Sequence, residues 1–355
     1  MSTLQLNLDT HKLHYHPTRV GEFLDRGDCY PLYMEVSPVG SCNHRCTFCA
    51  YDYIGYPNRK LDSAKFLQLI DDISDNGLKS MLYAGEGEPL MHPNIGEFIT
   101  YTKKKGIDVG LFTNGELLEK KLNDEIFKSL TFIRFSVNAG DKQIYKDIHK
   151  KDVFEKIINN IKYSVKLKKD NNLDTTLGIQ FVLLPENIKS VENIVKIASE
   201  IGVDYISIKP FVQQSSEQFY QMERQFELQE LQDLFEKLEQ YNHDSFNIVA
   251  RVNAFKNYGK RDYKNCFGCN FITVLNSAGE LGSCLPYWDK KEYIYGNINT
   301  QNFNEIWNGK KRKKIKYHLE NTLDATSCPP NCRPNNINSY LYEMKNPMVS
   351  HLNFI

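Results

Sequence analysis

Cys42-Asn43-His44-Arg45-Cys46-Thr47-Phe48-Cys49 is the stretch on which the reading of this chain turns. It places three cysteines at a C-x3-C-x2-C spacing, just after an apolar run at 32–36 that reads as a strand. Three thiols this close leave one over however two of them pair, so a disulfide does not account for them. Thiolate is the usual ligand of iron–sulfur clusters, and three thiolates hold three irons of a four-iron, four-sulfur (4Fe-4S) cubane. The fourth iron keeps an open position, which separates a reactive metal site from a closed structural one. A zinc loop is the competing reading of the same cysteines.

Outward from this loop, strand-like and helix-like runs alternate. Strands are expected at 32–36, 79–84, 107–113, 131–137, 175–184 and 203–209, with helices at 63–75, 93–105, 118–130, from about 142 to 168, and 187–201. The helix at 63–75 carries its apolar stripe on Phe66, Leu67, Leu69, Ile70 and Ile73. Six strands separated by helices imply a parallel sheet with helices outside it, and right-handed crossovers would curl that sheet. A linker and amphipathic helix are expected over 214–243, then a strand at 246–252. From about residue 260 glycine, asparagine and cysteine rise and the alternation stops. The expected organisation is a lead segment over 1–30, with a short strand on Leu4, Leu6 and Leu8, an α/β unit over 31–258 and a small cysteine-rich α+β unit over 259–355. The lead segment is too short to be a domain of its own.

The chain has 355 residues, 44 of them Lys or Arg and 44 Asp or Glu, so its formal net charge is zero. A protein built to grip nucleic-acid phosphate would carry a basic excess, so nucleic acid is an unlikely class of partner. The basic run 309–316 is expected to be the solvated face of a short helix. Nine cysteines, eight of them in two groups, read as metal or redox sites in a reducing cytoplasm, not as a disulfide framework. No stretch has the makings of a signal peptide or of a membrane span.

In sheets of this kind ligands sit at the carboxyl ends of the strands. Four such ends carry suitable residues. Ala84-Gly85-Glu86-Gly87-Glu88-Pro89 follows the second strand, Thr113-Asn114-Gly115 the third, and Ser136 and Asn138 end the fourth. Lys209 ends the sixth, where it could meet a carboxylate or phosphate. On the fifth, Gln180 is a lone amide between Ile179 and Phe181 and needs a partner. Gln213, Gln214, Arg251, Tyr287 and Trp288 are further residues for a substrate wall. Near the C-terminus stand Cys266-x2-Cys269, Gly279-x4-Cys284 and Cys328-x3-Cys332.

Together these motifs resemble the radical S-adenosylmethionine (radical SAM) superfamily, over about residues 31 to 335. The resemblance rests on the C-x3-C-x2-C triad with aromatic Phe48, on Gly87, Glu88 and Pro89 of the family's Gly-Gly-Glu-Pro element, and on the Thr-Asn-Gly strand end. Glu86 stands where that element has its first glycine. The tail is similar to the SPASM extension, or its shorter relative called twitch, through the second cysteine group and the segments Gly296-Asn297-Ile298 and Glu305-Ile306-Trp307-Asn308. It lacks the further C-x2-C of the full pattern.

The resemblance implies a partial (β/α)6 barrel. It also implies a cluster on Cys42, Cys46 and Cys49 whose open iron binds S-adenosylmethionine, with Phe48, Gly87, Glu88, Pro89, Asn114, Ser136, Asn138, Gln180 and Lys209 as cofactor-binding residues. One auxiliary 4Fe-4S cluster on Cys266, Cys269, Cys284 and Cys332 follows, with Cys328 spare or exchanged for Cys332. A structural zinc is the alternative there. The activity implied is reductive cleavage of S-adenosylmethionine to a 5′-deoxyadenosyl radical, fed by an electron donor such as flavodoxin or ferredoxin. That radical would abstract hydrogen from a small polar metabolite (a sugar, aminocyclitol or nucleotide-linked molecule) in an oxidation or epimerisation, with Cys328 or Cys29 as hydrogen donor in the latter. Peptide or protein maturation is the rival, RNA modification a third reading, and a ferredoxin-like electron carrier without S-adenosylmethionine cleavage a fourth.

Overall fold

The computed structural model describes residues 10–211, 226–257, 259–288, 290–330 and 332–354. The strand expected on Leu4, Leu6 and Leu8, the candidates Gln213 and Gln214, and the linker after Phe211 lie outside these residues. The described chain runs α1 (Pro17–Arg26), β1 (Tyr33–Val36), α2 (Ser63–Asp75), β2 (Ser80–Tyr83), α3 (Ile95–Lys104), β3 (Asp108–Thr113), α4 (Lys120–Ile126) and β4 (Phe132–Ser136). There follow α5 (Lys142–His149), α6 (Phe154–Asp170), β5 (Thr176–Leu183), α7 (Val191–Ile201), β6 (Tyr205–Pro210), α8 (Leu228–Glu239), β7 (Asn247–Ala250) and α9 (Val252–Lys256). The C-terminal part holds β8 (Ile272–Leu275), β9 (Glu280–Gly282), β10 (Ile294–Asn297), α10 (Phe303–Trp307), α11 (Lys310–Asn321) and α12 (Asn335–Lys345).

All described strands join one sheet in the order β10-β9-β8-β1-β2-β3-β4-β5-β6-β7. Strands β1 to β7 pair in parallel, and β8 lies parallel to β1. Six expected strands are present, the one at 246–252 is a seventh, and β8 extends the sheet past β1. The sheet curls. On a flat sheet β1 and β6 would stand about 24 Å apart, five strand spacings, yet Glu35 of β1 acts on the charge of Lys209 of β6. One face, carrying Met34, Val36, Met81, Tyr83, Val109, Leu111, Ile133 and Phe135, packs on the helices in a continuous core. The other face, carrying Glu35, Arg134, Gln180 and Lys209, lines the lumen.

Local chemistry explains the helix starts. The Asp62 side chain accepts from Lys65 N at 2.9 Å to cap α2, and Asp141 accepts from Ile144 N at 2.8 Å to cap α5. The single long helix expected from 142 to 168 is two helices. Lys150 adopts φ 56°, in the left-handed region, and stops α5 at His149; α6 begins afresh at Phe154. The expected helix at 118–130 is shorter too, α4 closing into a tight turn at Phe127–Ser129.

The lead segment is tied to the far end of the chain. Val20 and Phe23 of α1 and Cys29 and Leu32 share a buried cluster with Phe267, Phe271 and Leu341. Trp307 donates its indole N–H to the Cys29 carbonyl at 3.1 Å. The basic run on α11 is not wholly a solvated face: Arg312, Ile315 and Leu319 are buried. No helix of the described residues is long and apolar enough to cross a membrane.

Candidate active site

The cysteine triad sits in the loop leaving the carboxyl end of β1. Two neighbours hold that loop. Arg45 N and Thr47 N donate to the carbonyls of His149 (3.3 Å) and Ile148 (2.9 Å). These are end-of-helix carbonyls with no partner inside α5, so the helix terminus and the loop satisfy each other. From the other side, Asn43 accepts from Asn114 Nδ2 at 2.7 Å and donates to Glu116 Oε2 at 2.6 Å, and His44 Nε2 meets that same oxygen at 2.9 Å. None of the three cysteines is in a disulfide. Burial pushes all three thiols up, Cys42 to about 12, and the neighbouring thiols push Cys42 and Cys46 further the same way. Three thiols gathered where a thiolate is disfavoured suit a cationic metal centre, which holds thiolate against that cost.

The Gly85–Pro89 turn closes over the triad loop. Glu88 N donates to the Ser41 carbonyl at 3.0 Å, and a Cβ on Gly87 would lie 2.0 Å from that oxygen. Gly87 is therefore required by close backbone approach. Gly85, at φ 110°, is also against Ser37. The Glu88 carboxylate accepts from Leu90 N (3.2 Å), Thr113 Oγ1 (2.6 Å) and Asn114 N (2.8 Å), which fastens this turn to the end of β3. Burial raises its carboxyl to about 7 against those bonds. Glu86 accepts from Arg59 Nη2 at 2.7 Å and from Ser277 N at 3.1 Å, and bonds the Ser277 hydroxyl. It links β2, the triad loop and the C-terminal part. Gly87→Ala should cost about 1–3 kcal/mol, as overpacking does, seen as a lower urea midpoint and weaker retention of iron.

The lumen is strongly cationic. Ser136 and Gln180 are register partners on β4 and β5, and Val182 pairs with Lys209 of β6. Arg134 donates from Nε to Tyr205 Oη at 2.8 Å and lies 4.7 Å over the Phe112 ring. Arg333 reaches in from beside Cys332 to Glu35, at 2.7 Å, which also accepts from the Tyr33 hydroxyl at 3.0 Å. Among the described residues the Lys209 ammonium has no hydrogen-bond or ion-pair partner. Burial brings its ammonium down to about 7, and Arg251, Arg134 and Arg333 lower it further, with Glu35 opposing them.

A second cavity is lined by Cys266, Cys269, Cys284, Cys328 and Cys332, with Tyr263, Tyr287 and Arg261 around them. Asn338 shapes its floor: its Oδ1 accepts from Phe267 N and Gly268 N, and its Nδ2 lies 3.5 Å from Cys266 Sγ. The Cys269 thiol's hydrogen bond to Cys266 draws Cys266 down to about 7, while burial pushes Cys284, Cys328 and Cys332 up.

Residues 36–198 match the family model of the radical SAM superfamily, and residues 266–333 match that of SPASM, an iron–sulfur cluster-binding domain. The chain carries a radical SAM domain followed by a SPASM domain. It is 23% identical over 317 residues to a tungsten-containing aldehyde ferredoxin oxidoreductase cofactor-modifying protein of Pyrococcus furiosus, covering 84% of this chain and 86% of that one. It is 29% identical over 282 residues to a probable GTP 3′,8-cyclase of Sulfurisphaera tokodaii, covering 73% and 82%. Among solved structures, Streptococcus suis SuiB bound to S-adenosylmethionine shares the fold, with a TM-score of 0.65, 15% identity, and coverage of 84% of this chain and 70% of that one.

This radical SAM enzyme uses S-adenosylmethionine, a 4Fe-4S cluster and an auxiliary iron–sulfur cluster. The two thiol groups described above have the donor chemistry for these clusters. The structure brings Phe48 beside the triad, edge-on to His149 at 5.7 Å and packed on the cluster of Val182 and Phe211. Gly87, Glu88, Pro89 and Asn114 stand next to the triad, but the Glu88 carboxylate and the Asn114 amide are taken up by internal bonds and shape the site more than they face it. Ser136, Gln180 and Lys209 share the lumen.

Two expectations are corrected. Asn138 does not face the lumen. It is 1% exposed, its Oδ1 accepts from Val182 N at 2.6 Å, and its Nδ2 points at His149. Asn138 lies two residues past the end of β4 at Ser136, where its side chain turns to β5 and to His149. Cys29 lies before β1, at the end of the sheet away from the triad, its thiol directed to the Asn270 carbonyl at 3.5 Å. A thiol there cannot return hydrogen to a substrate at the carboxyl ends. Cys328 and Cys332 both reach the auxiliary cavity, so proximity does not choose between them. Sequence reading missed His149, Glu116, the Glu35–Arg333 pair and the Glu86–Ser277 tie. None belongs to a recognisable spacing, and each partner lies far off in sequence.

Proposed function

We propose that this radical SAM enzyme acts on a small anionic metabolite, carrying phosphate or carboxylate, in an oxidation or epimerisation. The observation that carries this reading is Lys209, facing the lumen without a partner among the described residues, with Arg134, Arg251 and Arg333 acting on it from three other segments and Glu35 alone opposing them. A buried ammonium set among like charges is costly unless a ligand brings the opposite sign. A phosphorylated substrate in a curated relative, GTP by the name of the cyclase, supports the same reading.

Cys42, Cys46 and Cys49 hold the first cluster; Cys266, Cys269 and Cys284 with Cys332, or Cys328 in its place, hold the auxiliary one. With S-adenosylmethionine bound, the first cluster supplies a 5′-deoxyadenosyl radical. The chain orients both ligands: the Gly85–Pro89 turn and the ends of β4 and β5 flank S-adenosylmethionine, while Lys209 and the lumen arginines clamp the anion and place one carbon for hydrogen abstraction. In an oxidation the substrate would give that hydrogen atom to the 5′-deoxyadenosyl radical, then a proton to solvent and an electron to the auxiliary cluster. In an epimerisation a thiol hydrogen would return to the opposite face, and Cys328, spare if Cys332 holds the auxiliary cluster, is the candidate thiol.

The test is anaerobic turnover, followed as 5′-deoxyadenosine release, with phosphorylated and carboxylated metabolites, their neutral counterparts and peptides. Faster release with the anionic members supports the proposal; equal or greater stimulation by neutral sugars or peptides defeats it. Lys209→Met should raise KM for the anionic substrate about 10- to 150-fold, the equivalent of 1.5–3 kcal/mol for a charge-assisted bond. The pH dependence follows in sign. An ammonium titrating at about 7 is charged below that pH and attracts the anion there. Affinity should fall as pH rises through 7, and Lys209→Met should flatten that fall.

A further inference from the structure

We propose that His149 donates a hydrogen bond to the Cys46 sulfur and so raises the reduction potential of the cluster on the triad. The proposal rests on Cys46 as a cluster ligand and adds a positioning and tuning residue outside the cysteine motif. His149 is the last residue of α5 and its ring is 1% exposed. The ring stacks on Tyr145 at 4.1 Å and 18°, which fixes its plane, while its backbone carbonyl holds the triad loop through Arg45 N. Its Nδ1 lies 3.1 Å from Cys46 Sγ.

Which atom donates is decided one step away. Asn138 Oδ1 accepts from Val182 N at 2.6 Å, so the Asn138 amide has its oxygen turned to β5 and its NH2 turned to His149. That Nδ2 is 3.3 Å from His149 Nε2, and the Asn138 backbone N–H is 3.4 Å from the same atom. Two donors converge on Nε2, so Nε2 carries the lone pair. With the lone pair on Nε2, the ring N–H is on Nδ1, aimed at sulfur. This tautomer also disposes of a rival use of the site. Donor atoms of His44, Cys46 and His149 lie within 4.8 Å of one another, but a discrete ion held by all three would need a bare His149 Nδ1. A proton donor on a ligand sulfur stabilises the extra electron of the reduced state, and hydrogen bonds to sulfur are among the recognised determinants of cluster potential.

The experiment is an EPR-monitored redox titration of the reconstituted full chain, following the cluster whose signal changes on adding S-adenosylmethionine. His149→Phe keeps the stack on Tyr145 and removes the N–H. Its midpoint potential should fall, with iron per chain unchanged, and His149→Gln, whose amide can donate to sulfur, should recover part of the loss. An unmoved potential in His149→Phe overturns the proposal. So does loss of the cluster's iron in His149→Phe with the fold intact, which would make His149 a ligand. Cys46→Ala run alongside separates the two assignments: if it retains the responsive signal, the ligand reading itself fails.

Discussion

Cys46→Ala will lower iron by about four atoms per chain, one cubane, and drop 5′-deoxyadenosine release to background. The auxiliary absorption should remain. Cys46 is the middle member of the triad, and its loop is secured independently of its thiol. Arg45 N and Thr47 N bond the end of α5, and Asn43 and His44 bond Asn114 and Glu116. The fold around the loop should therefore survive, and the loss should be one of chemistry. Two remaining thiolates leave two irons without protein ligands, and a cubane is not retained on so few. Iron and sulfide analysis with product chromatography reads the result. Full iron retention in Cys46→Ala would mean that the buried thiols serve another purpose. Cys266→Ala should behave oppositely, reducing the auxiliary signal while the signal responsive to S-adenosylmethionine persists.

The second large effect is on stability. Asp28→Ala should cost about 3 kcal/mol, at the low end for breaking a buried ion pair because water can reach the Asp28 side. Arg312 is 1% exposed. It takes both oxygens of Asp28 at 2.9 and 2.7 Å, donates to the Trp307 carbonyl at 3.1 Å and lies 3.7 Å over the Trp307 ring. Removing Asp28 leaves that guanidinium enclosed without its counter-charge. Arg312→Met in the Asp28→Ala background should regain part of the loss, since the unpaired charge is then gone. Urea unfolding of the single and double variants measures both. Equal and additive losses would show that the pair is held by packing alone. The pair joins the lead segment to α11, so the Asp28→Ala protein should also be nicked earlier by protease ahead of residue 30.

Much of the frame was legible beforehand because its causes are local. Parallel strands covered by helices read as short apolar runs, and β1 to β6 stand within two residues of where those runs begin and end. The triad was legible because a cubane demands several thiolates within a few residues. Arg312 was misread for a related reason: periodicity treats arginine as surface, and its burial depends on Asp28 and Trp307, neither of which the run itself displays. His149 was hidden inside an apparently continuous helix, since nothing in Lys150 demands the left-handed turn that ends α5.

By itself the amino-acid order determined the thiol spacing, the β–α alternation and the glycine at 87, features set within a turn or a strand by backbone geometry and ligand count. Tertiary structure alone decided that β8 lies beside β1, that Glu86 meets Ser277, that Lys209 gathers three arginines from distant segments, and that Asn138 and His149 stand behind Cys46. Those pairings join residues tens to hundreds of positions apart. They exist because the sheet curls and chain ends close on each other, which no short window of sequence encodes.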